Sequence, residues 1–181
     1  MRVVILYGLP GVGKLTIAEE LARLSPYRVF HNHLVFDAVE ALFSFGSPAF
    51  TELRERLWRE LLSRSVRERV GNVIFTIARD QSLDADFVMT LASELRKSGA
   101  RVSCVGLSCS AAEHEQRLAS ADRGRFGKIH SVERFRQLSQ GGAFPPFKGP
   151  ADAMLIDTTG LSPSEAAAAV DAQLNREQSA N

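Results

Sequence analysis

Residues 3–22 read VVILYGLPGVGKLTIAEELA, and the rest of the chain is organised by how this stretch folds. With Arg2, the run to Tyr7 is short, continuous and rich in Val and Ile, which suits a strand covered on both faces. From Lys14 the period changes. Ile17, Ala18, Leu21 and Leu24 fall on one helical stripe over 14–24, and Ser25-Pro26 stops it. Between strand and helix stand Gly8, Gly11 and Gly13, in GxxGxGK spacing with Lys14. Gly8 to Lys14 also matches the GxxxxGK form. Glycines allow positive φ and close backbone approach, so successive N–H groups can point into one cavity. A helix starting near Lys14 adds its positive end, and the lysine adds a mobile cation. The stretch predicts a cradle for phosphate.

One position departs from the strict motif. Leu15 stands where Ser or Thr usually follows the lysine, and the hydroxyl comes one residue late, at Thr16. Thr16 lies roughly 100° further round the helix. A leucine cannot ligate a metal. Thr16 is expected to touch phosphate, and to serve as a metal ligand only if the helix start is shifted. Otherwise a magnesium ion rests on phosphates, waters and acidic side chains. The expected phosphate-binding set is Gly8, Gly11, Val12, Gly13, Lys14, Leu15 and Thr16.

Outward from this stretch, short apolar runs alternate with helical periods. Strands are expected at 28–30, 72–78, 100–107 and 153–159. Helices are expected at 31–43, 49–70, 84–97, 110–121 and 162–175. In 31–43 the inward stripe reads as Leu34, Ala38, Val39 and Leu42; in 49–70 it reads as Leu53, Leu57, Leu61 and Leu62, with the arginines facing out. Ser162, Pro163 and Glu165 form a helix-start signature. Continuous apolar strands alternating with helices predict an α/β domain: a five-stranded parallel sheet with helices on both faces.

The 181 residues are 45% hydrophobic, which fits one domain with a sizeable core, 1–181. Lys+Arg number 22 against Asp+Glu 21, a balance that argues against a nucleic-acid or anionic-membrane binder. Cys104 and Cys109 do not make a disulfide framework. No apolar run approaches the ~20 residues needed to cross a bilayer. The N-terminus has no signal-peptide layout, and a cytoplasmic protein is expected, monomer or homodimer.

The loop, together with HNHLVFD (31–37), RLASADRGRFGK (117–128) and LIDTTGLSPSEAAAAV (155–170), resembles the P-loop NTPase branch of adenylate, shikimate, gluconate and chloramphenicol kinases. It is most similar to uncharacterised bacterial ATP-binding proteins described as AAA-type or shikimate-kinase-like. The resemblance implies a three-layer fold with strand order 2-3-1-4-5, ATP and Mg²⁺ as cofactors, a mobile lid, and phosphoryl transfer to a hydroxyl of a small molecule or nucleotide. It further implies that the loop after the last strand borders the adenine.

In such a topology ligands bind beyond the carboxyl ends of the strands. The acceptor side is expected at about 31–70. There His33, Asp37 and Glu40 share a helix face. Asp37 is the expected proton-accepting carboxylate; His33 is the alternative base or a partner of Asp37; His31 caps the helix or touches substrate. The strand NVIFTI carries no acid, so Asp80, beyond it, is the candidate holder of a metal water. Arg79 is a candidate clamp on the transferred phosphoryl or an anionic acceptor. Residues 117–136 hold six Lys/Arg against two acids, an excess expected of a closing lid. On the resemblance, Arg117 lies at its base near adenine and Arg123 nearest the phosphates. Leu15 and the missing strand-end acid keep two alternatives open: a regulatory NTPase with slow hydrolysis, and a nucleotide-binding module without turnover.

Overall fold

The computed structural model describes residues 1–78, 80–119, 132–145 and 147–179. Five parallel strands form one sheet in the order β2-β3-β1-β4-β5. The central strand β1 (Arg2–Tyr7) is buried along its whole length. Its residues alternate between two cores, with Val3, Ile5 and Tyr7 on one face and Val4 and Leu6 on the other. Burial on both faces is why the run has no polar alternation. β3 (Asn72–Ile77) and β4 (Arg101–Ser108) flank it, and Ile5 stands level with Phe75 on one side and Cys104 on the other. β2 (Tyr27–His31) and β5 (Met154–Asp157) are the edges.

On one face pack α2 (His33–Glu40), α3 (Pro48–Arg67) and α4 (Phe87–Lys97), through Val39, Phe50, Trp58, Leu62, Leu91 and Leu95. On the other pack α1 (Lys14–Leu24) and α7 (Pro163–Ser179), through Ile17, Ala18 and Leu21 against Ala166, Ala167 and Val170. The small residues let these two helices lie close. The expected sheet, strand order and helical layers are all present. α5 (Ala111–Ala119) lies against the loop after β1, and α6 (Val132–Gln140) has no counterpart among the expected elements.

Local chemistry explains the element starts. Ser47 Oγ accepts from Phe50 N at 3.2 Å, and Pro48 fills the first helical position of α3. At α7 the box closes both ways: Ser162 N donates to Glu165 Oε2 at 2.9 Å and Glu165 N to Ser162 Oγ at 3.3 Å. Burial pushes Cys104 up to about 12, so it stays a thiol packed as a small apolar side chain.

Two helical stripes differ from expectation. In α2 the buried residues are Val35 and Val39, while Leu34 and Leu42 face out. The strand runs on through His31, so the helix starts two residues later than expected and ends at Glu40. In α3 the inward row is Phe50, Arg54, Trp58, Leu62 and Val66, a strict step of four. Leu57 and Leu61 are exposed. The two large rings set the inward face and carry Arg54 in between them. Leu62→Ala is therefore expected to destabilise the protein by about 2–5 kcal/mol. Leu61→Ala is expected to stay within about 0.5 kcal/mol of the native protein. Urea unfolding of the two variants measures both, and equal losses would contradict the observed register.

Candidate functional site

The loop from Gly8 to Gly13 joins β1 to α1. Gly8 sits at φ +152°, and a Cβ there would lie 2.5 Å from Leu107 O, so the loop leaves the sheet through a gap that only glycine passes. Gly13, at φ +97°, is the left-handed residue that caps α1. Lys14 is buried and turned back over the loop, with Nζ donating to Gly8 O at 3.0 Å and Leu9 O at 2.7 Å. Leu15 and Thr16 both line the cavity in front of the loop.

Side chains from elsewhere hold the loop from behind. Arg117, on α5, donates through Nη1 to Val12 O at 3.1 Å and to Thr158 Oγ1 at 2.9 Å. Its Nη2 reaches Thr158 O at 2.8 Å and its Nε reaches Glu113 Oε1 at 3.0 Å. Thr158 is fully buried just past β5, and its Oγ1 donates to Ser108 O at 2.9 Å. One turn earlier on α5, His114 Nε2 meets Pro10 O at 2.7 Å. The His114 ring also meets Phe135 edge-on at 4.7 Å, and Phe135 stacks on Phe144 at 5.4 Å, so α6 is fastened to α5 beside the loop. Asp157, the last residue of β5, accepts from Thr159 N and Oγ1 at 2.9 and 2.6 Å; these bonds lower its pKa.

A cavity of about 780 Å³ runs across the carboxyl ends of the strands. At one end it reaches Arg117, Thr158, Leu161 and Pro163, at the middle Gly11, Gly13 and Lys14, and at the other end His31, His33, Phe36, Glu40 and Trp58. At this last end α3 contributes an arginine with no exposed surface. Arg54 lies between the rings of Phe50 and Trp58, 5.2 and 5.0 Å from their centroids. Its Nη1 donates to Asp80 Oδ2 at 2.7 Å and its Nη2 to Ser82 Oγ at 3.1 Å. Asp80 Oδ1 accepts from Ser82 N at 2.9 Å and from Ser82 Oγ. The carboxylate just past β3 is thus fixed in place while still lining the cavity.

The candidates from the sequence come together unevenly. Gly11, Gly13, Lys14, Leu15, Thr16, His31, His33, Asp80 and Arg117 share the cavity. Gly8 and Val12 form the back of the loop. Asp37 is not among the lining residues; it stands half-exposed behind His33, with Oδ1 3.6 Å from Nδ1, and Glu40 occupies the wall instead. Arg79, Arg123 and most of the expected lid lie outside the described residues. Sequence reasoning missed Arg54, His114 and Thr158, and it put Glu40 on the face of His33 without giving it a role. His114 and Arg117 carried a signal, since residues three apart on one short helix face the same way. Arg54 carried one only in hindsight, between Phe50 and Trp58 at steps of four.

Comparison with known proteins agrees with this geometry. No curated protein matches the chain. Among solved structures, the tunicamycin resistance protein of Deinococcus radiodurans is 24% identical, with a TM-score of 0.64 over 96% of this chain and 95% of that one. The APS kinase of Mycobacterium tuberculosis is 18% identical, with a TM-score of 0.66 over 96% and 97%. A gluconokinase of Sinorhizobium meliloti is 15% identical, with a TM-score of 0.64 over 98% and 95%. At these identities the likeness is one of fold alone. A family model described as an AAA domain matches residues 3–137, a span that includes the whole phosphate loop, the α2–α3 wall and α5. The chain belongs to this AAA-domain family of P-loop proteins.

Proposed function

We propose that this chain transfers the γ-phosphoryl group of ATP to a hydroxyl of a small molecule. The observation that carries the reading is the continuous cavity. A nucleotide on the loop and an acceptor against α2 and α3 would share one continuous cleft, whereas hydrolysis alone needs no second chamber. The structural relatives support it, since one was captured with AMPPNP and APS together.

In this reading the triphosphate lies on the backbone donors of Gly11 to Thr16, and Lys14 leaves the loop carbonyls for the β/γ oxygens. The acceptor oxygen bonds to the γ-phosphorus, the bond to the bridging oxygen breaks, and ADP leaves. The acceptor proton goes to His33 Nε2, with Asp37 behind the ring to steady the imidazolium that forms. Asp37 then acts on the reaction through His33. Arg79 and Arg123 remain the proposed charge-neutralising groups at the γ-phosphoryl.

ATP brings magnesium with it in kinases of this fold. Among the described residues no group of three or more His, Cys, Asp or Glu side chains comes together to hold a metal. The oxygen donors this chain offers are Thr16 and Asp80 on the cavity wall. That set fits an ion carried mainly by phosphates and water. When bound, it supplies charge neutralisation at the β- and γ-oxygens. A second reading, a nucleotide-binding regulatory NTPase with slow hydrolysis, is favoured by Leu15, which puts carbon at the cavity position of the usual metal-binding hydroxyl.

Calorimetric titration with ATP tests the nucleotide half. Binding is expected in the native protein and about 10- to 150-fold weaker in Lys14→Ala. The magnesium dependence is expected to be small, and to grow in Leu15→Ser. No ATP binding would overturn the reading. The pH–rate profile of acceptor-dependent ADP release tests the proton path. His33→Asn is expected to lose about 100-fold or more in kcat. Asp37→Asn is expected to retain activity, because its carboxylate acts on the reaction only through His33. Abolished activity in Asp37→Asn with a mild effect in His33→Asn would make Asp37 itself the base.

A further inference from the structure

The acceptor end of the cavity has a composition that selects among alcohols. Its wall is a band of rings. His31 and His33 stand with centroids 6.5 Å apart, His33 and Phe36 5.3 Å, and Phe36 and Phe45 5.8 Å; Trp58 closes the far side. Phe45 is 55% exposed, a large apolar surface left at the cavity rim. Among the described residues, the one guanidinium or ammonium that α2, α3 and the end of β3 add to this wall is Arg54, beside the imidazole of His33, which as the proposed base is neutral when the acceptor binds. Arg54 shows no surface, and both its terminal nitrogens are held by Asp80 and Ser82. Among the described residues, the carboxylates these elements add are Asp80, which is paired with Arg54, and Glu40.

Aromatic faces carry negative potential, so they attract cations and repel anions. An anionic acceptor here would give up water to meet ring faces and a carboxylate. A polyol would leave most of its hydroxyls against carbon, without partners. Resting on the phosphotransfer reading above, we propose that the acceptor is a ring-bearing alcohol without negative charge, neutral or carrying an amine that pairs with Glu40. This sets the chain apart from kinases whose acceptors are sugar acids or nucleotide-like anions.

Trp58 is the single tryptophan of the chain and sits just behind the cavity wall, almost fully buried, so its emission reports an occupant through the side chains around it, and calorimetry of each probe reads the same binding independently. The probes are a charge series on one scaffold: 1-phenyl-1,2-ethanediol (neutral), 2-amino-1-phenylethanol (cationic) and mandelate (anionic), with gluconate as an anionic polyol. Each is titrated into the full chain, and ATP binding is read separately by calorimetry. The diol and the amino alcohol are expected to bind at least about tenfold more tightly than mandelate or gluconate. Glu40→Gln is expected to bring the amino alcohol down to the level of the diol and leave the diol unchanged. Mandelate or gluconate binding as tightly as the diol overturns the proposal, and loss of that anion binding in Arg79→Gln would locate the cause. Silence from all four probes up to about 10 mM in a protein that binds ATP also overturns it. Ring-alcohol binding in a protein that fails to bind ATP leaves the wall's preference standing and removes the kinase reading.

Discussion

The guanidinium of Arg117 gathers three chain segments at one buried point. It takes a carbonyl from the phosphate loop, the hydroxyl and carbonyl of Thr158 after β5, and a carboxylate from its own helix. Thr158 in turn donates to Ser108 at the end of β4, through both its backbone and its side chain. The ends of β1, β4 and β5 therefore close on a single side chain whose fixed fork suits several acceptors at once. With Gly8 pressed against Leu107 O, the path of the loop is set by protein contacts alone. The loop is held in place by these contacts, which on the proposed reading would lower the ordering a phosphate must bring about.

Lys14 completes that picture. Its ammonium sits on Gly8 O and Leu9 O. In the proposed reading a triphosphate would exchange those two carbonyls for phosphate oxygens, so a buried cation would keep partners in both states. Leu15 alters the other half of the usual arrangement. It leaves the backbone of the loop intact and puts carbon where the usual motif has a hydroxyl, so on the proposed reading phosphate binding would depend less on a metal held by this loop.

How much of this could be read from the chain follows from which residues obey the usual burial preferences. The strands were legible because Val3–Tyr7 is apolar throughout and Val73–Ile77 is apolar but for Thr76, the run expected of two-sided burial. The loop was legible because glycine spacing maps directly onto backbone geometry. The inner face of α3 was not, because Arg54 breaks the rule that arginines face water, and Leu57 and Leu61 break the rule that leucines do not. Only the partners of Arg54 explain its burial: Asp80 and Ser82, nearly thirty residues on, and two flanking rings. Asp37 was legible as a member of a His–Asp face, but which of the two meets the cavity depends on where β2 ends and α2 begins. That boundary shifted by two residues, enough to put His33 inside and Asp37 behind it.

The account stands on the loop of residues 8–16 being a working phosphate site. The most direct measurement is a crystal structure of the protein with a non-hydrolysable ATP analogue. The account predicts β- and γ-phosphates within hydrogen-bond reach of the Gly11 to Thr16 amides, Lys14 Nζ moved from the loop carbonyls onto phosphate, and Arg117 still joined to Val12 and Thr158. An analogue lying elsewhere in the cavity, with Lys14 still bound to Gly8 O and Leu9 O, would contradict it.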